Sequence, residues 1–151
     1  MKNYQLLRDE ALGFVNDNDI AIAGVSRNPK KFGNIVFKTL KSKGMKVYPV
    51  NPHTESLDGE LCYQSVHDLP ATVKSLLVLL KPADTENVVK EAIQQGITRV
   101  WIQQGSETPE AVKIANDAGI KVITDRCILM YAHPTGFHKF HQTLNKLFGK
   151  Y

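Results

Sequence analysis

Short apolar runs alternate with longer amphipathic stretches along this chain. The runs are bounded by Gly, Pro or Asn, which is typical of buried strands, and the stretches carry apolar residues three and four positions apart, which predicts helices. Strands are predicted at residues 20–24, 46–50, 75–80, 99–103 and 121–124. Helices are predicted at residues 3–15, 33–43, 84–95, 108–118 and about 137–148.

This regular alternation predicts an α/β fold. We expect a Rossmann-like, doubly wound parallel sheet of five strands in three α/β/α layers, with helices on both faces. Right-handed crossovers favour a strand order such as 3-2-1-4-5. The run at 75–80 is the most apolar and predicts a central strand covered on both faces, whereas residues 53–71 predict an irregular connection. The 151 residues, 42% of them hydrophobic, suit a single domain over residues 1–151.

Positive charge is concentrated in one segment. Residues 20–54 contain seven lysines or arginines and no acidic residue, and the remainder carries −3 because the whole chain carries +4. A polyanionic ligand at one site fits this distribution better than a basic coat for nucleic acid. A solvated helix face explains Lys38, Lys41 and Lys43, but it explains the cations of the predicted turn, Arg27, Lys30 and Lys31, less well.

The N-terminus and the cysteines favour a cytoplasmic protein that is not held in a membrane. Residues 1–15 lack the apolar core of a signal peptide, and the longest apolar run, 76–80, is far below the roughly 20 residues of a membrane helix. Cys62 and Cys127 match no zinc pattern, so reduced thiols are expected. We interpret His138 and His141, three positions apart, as a polar helix flank, and we predict no metal site.

The loop after the first predicted strand has the chemistry of a phosphate site. Gly24 permits a tight backbone turn, and Ser26 supplies a hydroxyl. Gly33 and Asn34 begin the next helix, whose free N–H groups and dipole attract anions. An ordinary strand-to-helix turn also contains glycine and serine, but the surrounding positive charge favours phosphate binding.

The same loop disfavours two familiar nucleotide sites. Ser26 stands where the second glycine of Gly-x-Gly-x-x-Gly belongs, and Asn51 with Pro52 stands where NAD-binding folds carry an acidic residue for the ribose. The chain has no Gly-Lys-Ser/Thr, which excludes a P-loop. An NAD(P)-binding regulator or oxidoreductase therefore remains only as an alternative.

Four motifs follow four different predicted strands. They are Gly24-Val25-Ser26-Arg27-Asn28-Pro29 with Lys31, Gly33 and Asn34, then Pro49-Val50-Asn51-Pro52, Gln103-Gln104-Gly105 and Asp125-Arg126-Cys127-Ile128. Together they resemble the small stand-alone CoA-binding protein family. The resemblance covers roughly residues 15–133, and it implies a fold similar to the N-terminal CoA-binding domain of the succinyl-CoA synthetase alpha subunit.

The resemblance implies that these residues hold coenzyme A or an acyl-CoA. Ser26 and the backbone around Arg27 would hold the pyrophosphate, and Arg27 and Lys31 would face the ribose phosphate or pyrophosphate. The pantetheine arm would end near Arg126 and Cys127. Further residues would border the nucleotide (Asn51, Pro52), line the far wall (Lys81, Pro82), flank the pantetheine path (Gln104, Gly105) or complete the first loop (Gly24, Asn28, Gly33, Asn34).

The expected function is binding of CoA or an acyl-CoA by a non-catalytic carrier, sensor or partner module. Succinyl-CoA synthetase is phosphorylated on a histidine of a second domain, and we expect that machinery to be missing here. A CoA-dependent enzyme subunit acting with a second chain remains an alternative, and the terminal amphipathic helices also fit a homodimer or an unknown protein partner. Cys127 suggests a mixed disulfide with CoA, although a small buried residue is the interpretation we favour.

Overall fold

The computed structural model describes residues 2–132. Its helices are α1 (Lys2–Val15), α2 (Phe32–Ser42), α3 (Pro82–Gln95), α4 (Pro109–Asp117) and α5 (Leu129–Ala132), with a 3-10 turn at Val66–Asp68. Its strands are β1 (Asp19–Ala23), β2 (Lys46–Val50), β3 (Ser56–Leu57), β4 (Glu60–Leu61), β5 (Ser75–Val78), β6 (Arg99–Gln103) and β7 (Lys121–Arg126). The helix predicted at about 137–148 lies outside the described residues.

Five strands form one parallel sheet in the order β2-β1-β5-β6-β7. The five-stranded parallel sheet is confirmed, but the predicted order is wrong, since these strands run 2-1-3-4-5 rather than 3-2-1-4-5. β5 pairs with β1 on one side and with β6 on the other. All four of its residues are buried. An edge position would have left this apolar run partly uncovered, so its burial requires the centre of the sheet.

Apolar side chains alternate between the two faces of the sheet, and each face has its own core. Ile20 and Ile22 of β1 pack in the layer of α1, α2 and α5, where the Phe14 and Trp101 ring centroids are 5.4 Å apart. Ala21 of the same strand packs in the layer of α3 and α4. The predicted three layers are therefore confirmed. Within residues 2–132, no helix has the length and apolar character needed to cross a bilayer.

The irregular connection between β2 and β5 contains a small hairpin. β3 and β4 pair antiparallel around Asp58 and Gly59, which both adopt positive φ. Beyond the hairpin, Tyr63 exchanges backbone hydrogen bonds with Pro49 and Asn51, each 2.8 Å long. These bonds occupy the outer side of β2, which is otherwise an open sheet edge.

Two helices begin directly after loops at the carboxyl edge of the sheet. α2 follows Lys31 and α3 follows Lys81, and neither helix has a side-chain cap. α3 begins two residues earlier than predicted, because Pro82 occupies the first helical position, where its missing N–H has no intrahelical partner to lose. α4 begins at Pro109 and is capped by the Thr108 hydroxyl. Both uncapped ends open toward the same region of the surface.

Candidate functional site

Two adjoining cavities lie at the carboxyl edge of the sheet, with volumes of about 470 Å³ and 590 Å³. Gly24, Ser26, Leu80 and Asp84 line both, so the loop after β1 stands where the two cavities meet. Each volume is in the range of small-molecule sites. The junction lies beside the point where the strand order reverses, between β1 and β5, and this is where ligands bind in open parallel sheets.

The first cavity is enclosed by the ends of β1 and β2, the segment before the 3-10 turn, and one face of α3. Its further lining residues are Ala23, Val25, Val50, Asn51, Pro52, His53, Gln64, Ser65, Val66, Asn87, Val88 and Glu91. The Ser65 hydroxyl donates to a Glu91 carboxylate oxygen over 3.3 Å and joins the 3-10 turn to α3. The wall of this cavity is thus partly apolar and otherwise rich in hydrogen-bonding groups.

The second cavity lies over the ends of β5 and β6 and the starts of α2 and α3. Its further lining residues are Lys31, Phe32, Gly33, Leu79, Lys81, Pro82, Gln103, Gln104, Gly105 and Ser106. Helix N-termini attract anions, and each of these two starts is preceded by a lysine. This cavity therefore combines two helix dipoles with two cationic side chains.

Two glycines allow the loop to fold tightly against the sheet. Gly24 has a φ of +106°, and a Cβ there would lie 2.5 Å from the backbone oxygen of Leu79. A Cβ on Gly33 would overlap the backbone oxygen of Gly24. The start of α2 thus touches the end of β1 directly, and neither position has space for a larger side chain.

Side chains within the loop fix its backbone. The Ser26 hydroxyl accepts from the N–H of Asn28 over 3.1 Å, and the Asn28 carboxamide oxygen accepts from the N–H of Lys30 over 2.9 Å. The N–H of Lys31 in turn donates to the Asn28 carbonyl over 3.1 Å. The exposed half of the loop is thereby held in successive turns that lead into α2.

Two asparagines hold the loop from outside. Asn51, at the end of β2, donates its side-chain amide to the carbonyl of Val25 over 2.7 Å. Asn34, in the first turn of α2, donates its side-chain amide to the carbonyl of Ser26 over 2.8 Å. Successive carbonyls of the loop are therefore held by two different elements of the fold.

The positive segment divides into two groups. Lys38 and Lys41 on α2 form ion pairs with Asp58 and Glu60 of the hairpin, with N–O distances of 3.9 Å and 2.5 Å. These lysines belong to a solvated helix face, in agreement with that interpretation of the sequence. Lys31 instead lines the second cavity, so only part of the local charge is available to a ligand there.

A comparison with protein families matches residues 18–133 to the CoA binding domain, which is more than half of the chain. The chain belongs to the CoA-binding domain family. The resemblance noted in the sequence is confirmed, and the match begins one residue before β1 and includes every strand of the sheet.

Known relatives of this CoA-binding domain include ligase subunits. The acetate–CoA ligase (ADP-forming) II subunit alpha of Pyrococcus furiosus is 32% identical over 146 residues, covering 89% of this chain and 30% of the relative. An acetate–CoA ligase (ADP-forming) of Methanocaldococcus jannaschii is 28% identical over 95% of this chain and 21% of the relative. The chain therefore spans less than a third of the length of these curated relatives.

A solved structure shares nearly its full length with this CoA-binding domain. A conserved hypothetical protein from Pyrococcus furiosus has a TM-score of 0.73 and 38% identity, covering 76% of this chain and 98% of its own. The domain is thus homologous to the alpha subunit of an ADP-forming ligase and similar in structure to a small protein of comparable length.

The structure brings most of the predicted site residues of the domain together. Ten of the fifteen line one or both cavities: Gly24, Ser26, Lys31, Gly33, Asn51, Pro52, Lys81, Pro82, Gln104 and Gly105. Asn34 and Asn28 act on the loop through hydrogen bonds instead. Arg27 is exposed on the same loop and lines neither cavity.

Arg126 and Cys127 do not line either cavity. The Arg126 guanidinium donates to the Tyr131 hydroxyl over 2.6 Å. Cys127 is buried among the apolar side chains of the α1 and α2 layer, with 6% of its surface exposed. Burial raises the pKa of its thiol, a change that a hydrogen bond with Gln103 partly offsets. This burial is the interpretation of Cys127 that we favoured from the sequence.

Several lining residues were missed in the sequence. Asp84, Asn87, Val88 and Glu91 of α3 stand at positions i, i+3, i+4 and i+7, so they share one face of the helix. From the sequence we predicted only that residues 84–95 form a helix. The polar spacing of this face, on a helix that starts at the carboxyl edge, is the signal that identifies it as a cavity wall.

Proposed function

We propose that this domain binds coenzyme A or an acyl-CoA in the two joined cavities and serves as a non-catalytic carrier, sensor or partner module in the cytoplasm. The observation that carries this proposal is the junction of the cavities at Ser26, where a glycine-containing loop and two uncapped helix starts converge. CoA has a pyrophosphate between its nucleoside and its pantetheine arm, and the junction offers a phosphate site between two cavities.

The phosphates are expected beside the second cavity. Lys31 and Lys81 precede the helix starts there and supply positive charge. The dipoles of α2 and α3 add partial positive charge at the same place. Arg27 lies on the exposed side of the loop and supports binding at longer range.

The first cavity suits the adenine ring and the free ribose hydroxyl of the ligand, which carry hydrogen-bond donors and no charge. Glu91 is an acceptor that would repel a phosphate, but it can accept from the ribose hydroxyl or the adenine amino group. Apolar side chains such as Val50, Val66 and Val88 offer a surface for a flat base. We therefore place the nucleoside in the first cavity.

The pantetheine arm then extends over the second cavity. Gln104 and Gly105 line this cavity, where the resemblance implies that they flank the pantetheine path. The resemblance implies that the arm ends near Arg126 and Cys127, but neither residue lines either cavity, so we propose that the arm ends at Gly105 instead. The acyl group, where one is present, would lie beyond Gly105 and toward solvent.

Titration calorimetry of the full chain tests this proposal. We expect saturable binding of CoA that weakens as salt is raised, and weaker binding of NADH, because no acidic side chain follows β2 to hold the ribose of NAD. Absence of saturable heat with both CoA and acetyl-CoA would reject the proposal. NADH binding tighter than that of CoA would instead support the NAD(P)-binding alternative.

A CoA-dependent enzyme formed with a second chain is the other candidate. It is favoured by the homology to a subunit named alpha of an ADP-forming acetate–CoA ligase. Native mass spectrometry of the protein purified from its own cells would show a retained ligand, a homodimer or a second chain. Release or consumption of CoA thiol by such a complex, but not by the chain alone, would establish this candidate.

A further inference from the structure

Two side-chain amides hold consecutive peptide groups of the loop after β1. We infer that Asn51 and Asn34 are positioning residues, which turn the backbone N–H groups of Ser26 and Arg27 toward a phosphate of the bound ligand. This inference rests on the proposed function, and it adds the reason why the loop binds an anion in the absence of the usual glycine pattern.

The geometry of the peptide group sets the direction of the two N–H groups. In a planar trans peptide, the N–H points away from the C=O of the preceding residue. Asn51 holds the Val25 carbonyl over 2.7 Å, so the Ser26 N–H is directed away from Asn51 and the end of β2. Asn34 holds the Ser26 carbonyl over 2.8 Å, so the Arg27 N–H is directed away from the buried side of α2.

The neighbouring amides of the loop already have hydrogen-bond partners. The N–H groups of Asn28, Lys30 and Lys31 all donate to acceptors within the loop. Among residues 2–132, the N–H groups of Ser26 and Arg27 have no acceptor. Successive oriented N–H groups form an anion-binding concavity; Ser26 lines both cavities where they meet, and Arg27 is the next residue of the same loop.

The buried carboxamide of Asn34 positions the loop after β1 and contributes little to the stability of the fold. The residue is 2% exposed, and its side-chain oxygen has no hydrogen-bond partner in the described part of the chain. Turning the amide over would place that oxygen against the Ser26 carbonyl, so the observed orientation is the favourable one. A buried acceptor without a partner destabilises a fold, and the one clear result of this side chain is a fixed Ser26–Arg27 peptide.

Both asparagines are themselves held before any ligand arrives. The Asn51 side-chain oxygen accepts from the N–H of His53 over 2.8 Å. The backbone N–H of Asn51 donates to the Tyr63 carbonyl over 2.8 Å. Asn34 lies in the first turn of α2, which Gly33 locks against the end of β1. The two N–H groups are thus preorganised, which lowers the cost of ordering the loop on binding.

Amide NMR of the ¹⁵N-labelled full chain, with CoA as the titrant, tests the inference. In the wild type, the Ser26 and Arg27 amides should both shift on binding. Asn34→Ala should abolish the Arg27 response and Asn51→Ala the Ser26 response, each with about tenfold weaker binding by calorimetry. The salt dependence of binding should stay as in the wild type, because no charge is changed. Asn116→Ala on the exposed face of α4 is the matched control and should match the wild type.

The outcomes separate this inference from the proposed function. Wild-type CoA binding with unmoved Ser26 and Arg27 amides, or equal amide responses in all variants, would overturn the inference and leave the function intact. Failure of the wild type to bind CoA would overturn both. If Asn34→Ala unfolds, Asn34→Leu keeps the branched shape but removes the amide donor, and it should lose the Arg27 response in the same way.

Discussion

The loop after β1 and the segment after β7 occupy equivalent places at the carboxyl edge of the sheet, yet they differ in what they present. The first turns over the sheet edge, and its residues 24 and 26 line both cavities. The second begins at Arg126, the last residue of β7, whose side chain contacts Tyr131. Cys127 then joins the core before α5 begins. Following a strand is therefore not enough to place a residue in the site, because the direction of the chain decides where side chains go.

The largest effect on the first loop should come from Gly33→Ala. The new Cβ would overlap the backbone oxygen of Gly24, which cannot move without distorting the end of β1. We expect the free energy of unfolding to fall by about 2–4 kcal/mol, measured by urea denaturation. Gly13→Ala is the control, because a Cβ on Gly13 has no atom within 4 Å, and this helical site should gain up to about 1 kcal/mol. Equal effects at the two glycines would contradict the close contact.

The next largest effect should be on ligand affinity. Lys31→Ala removes a cation that lines the second cavity, so CoA binding should weaken about tenfold and depend less on salt. The same measurement on Lys90→Ala, an exposed lysine of α3 that lines neither cavity, provides the comparison. Comparable losses in the two variants would show that general charge, rather than the loop, attracts the ligand.

Cys127, which follows β7, should make the free energy of unfolding depend on pH. Burial raises the pKa of this thiol above the value of 9.0 that it takes when exposed, and so the unfolded state loses its proton first. The contribution of the neutral thiol is complete below pH 9.0 and is lost as pH rises through the folded-state pKa. We expect the free energy of unfolding to decline less steeply above pH 9.0 in Cys127→Ala than in the wild type.

The same burial predicts that Cys127 forms no mixed disulfide with CoA. Mass spectrometry after mild oxidation in the presence of CoA should show no CoA-sized adduct on this residue. An adduct there would place the thiol of CoA beside the end of β7, and it would remove the contrast between the two segments.

The smallest effect should be a gain in affinity for CoA. Asp84 lines both cavities and brings a negative charge near the expected phosphates. Asp84→Asn should therefore tighten CoA binding about two- to fivefold at low salt, with the difference shrinking as salt is added. Calorimetry at two salt concentrations measures this directly, and weaker binding would mean that the carboxylate contacts the ligand as an acceptor.

The sequence predicted the parallel α/β sheet because its strands and helices alternate and have clear ends. The strand order was missed because handedness alone does not say on which side of β1 the third strand pairs. The apolar run at 75–80 already required a central place, which the order 3-2-1-4-5 denies it. Burial was thus the better guide to topology.

The sequence predicted the site residues whose place follows from the course of the backbone. It was a poorer guide where the direction of a side chain decides whether a residue faces a cavity. Gly24 and Ser26 follow β1 and lie in the cavities, as their position indicated. The pairing of β6 with β7 shifts register between Trp101 and Gln103 of β6, and Asp125 of β7 adopts a φ of 59°. Such an irregularity turns the following side chains, and no residue pattern in this chain announces it.

Hydrogen–deuterium exchange of the full chain, with and without CoA, tests the central claim most directly. The account predicts slower exchange in residues 24–34 when CoA is present, and unchanged exchange in residues 126–132. Protection confined to residues 126–132, with none in residues 24–34, would contradict it.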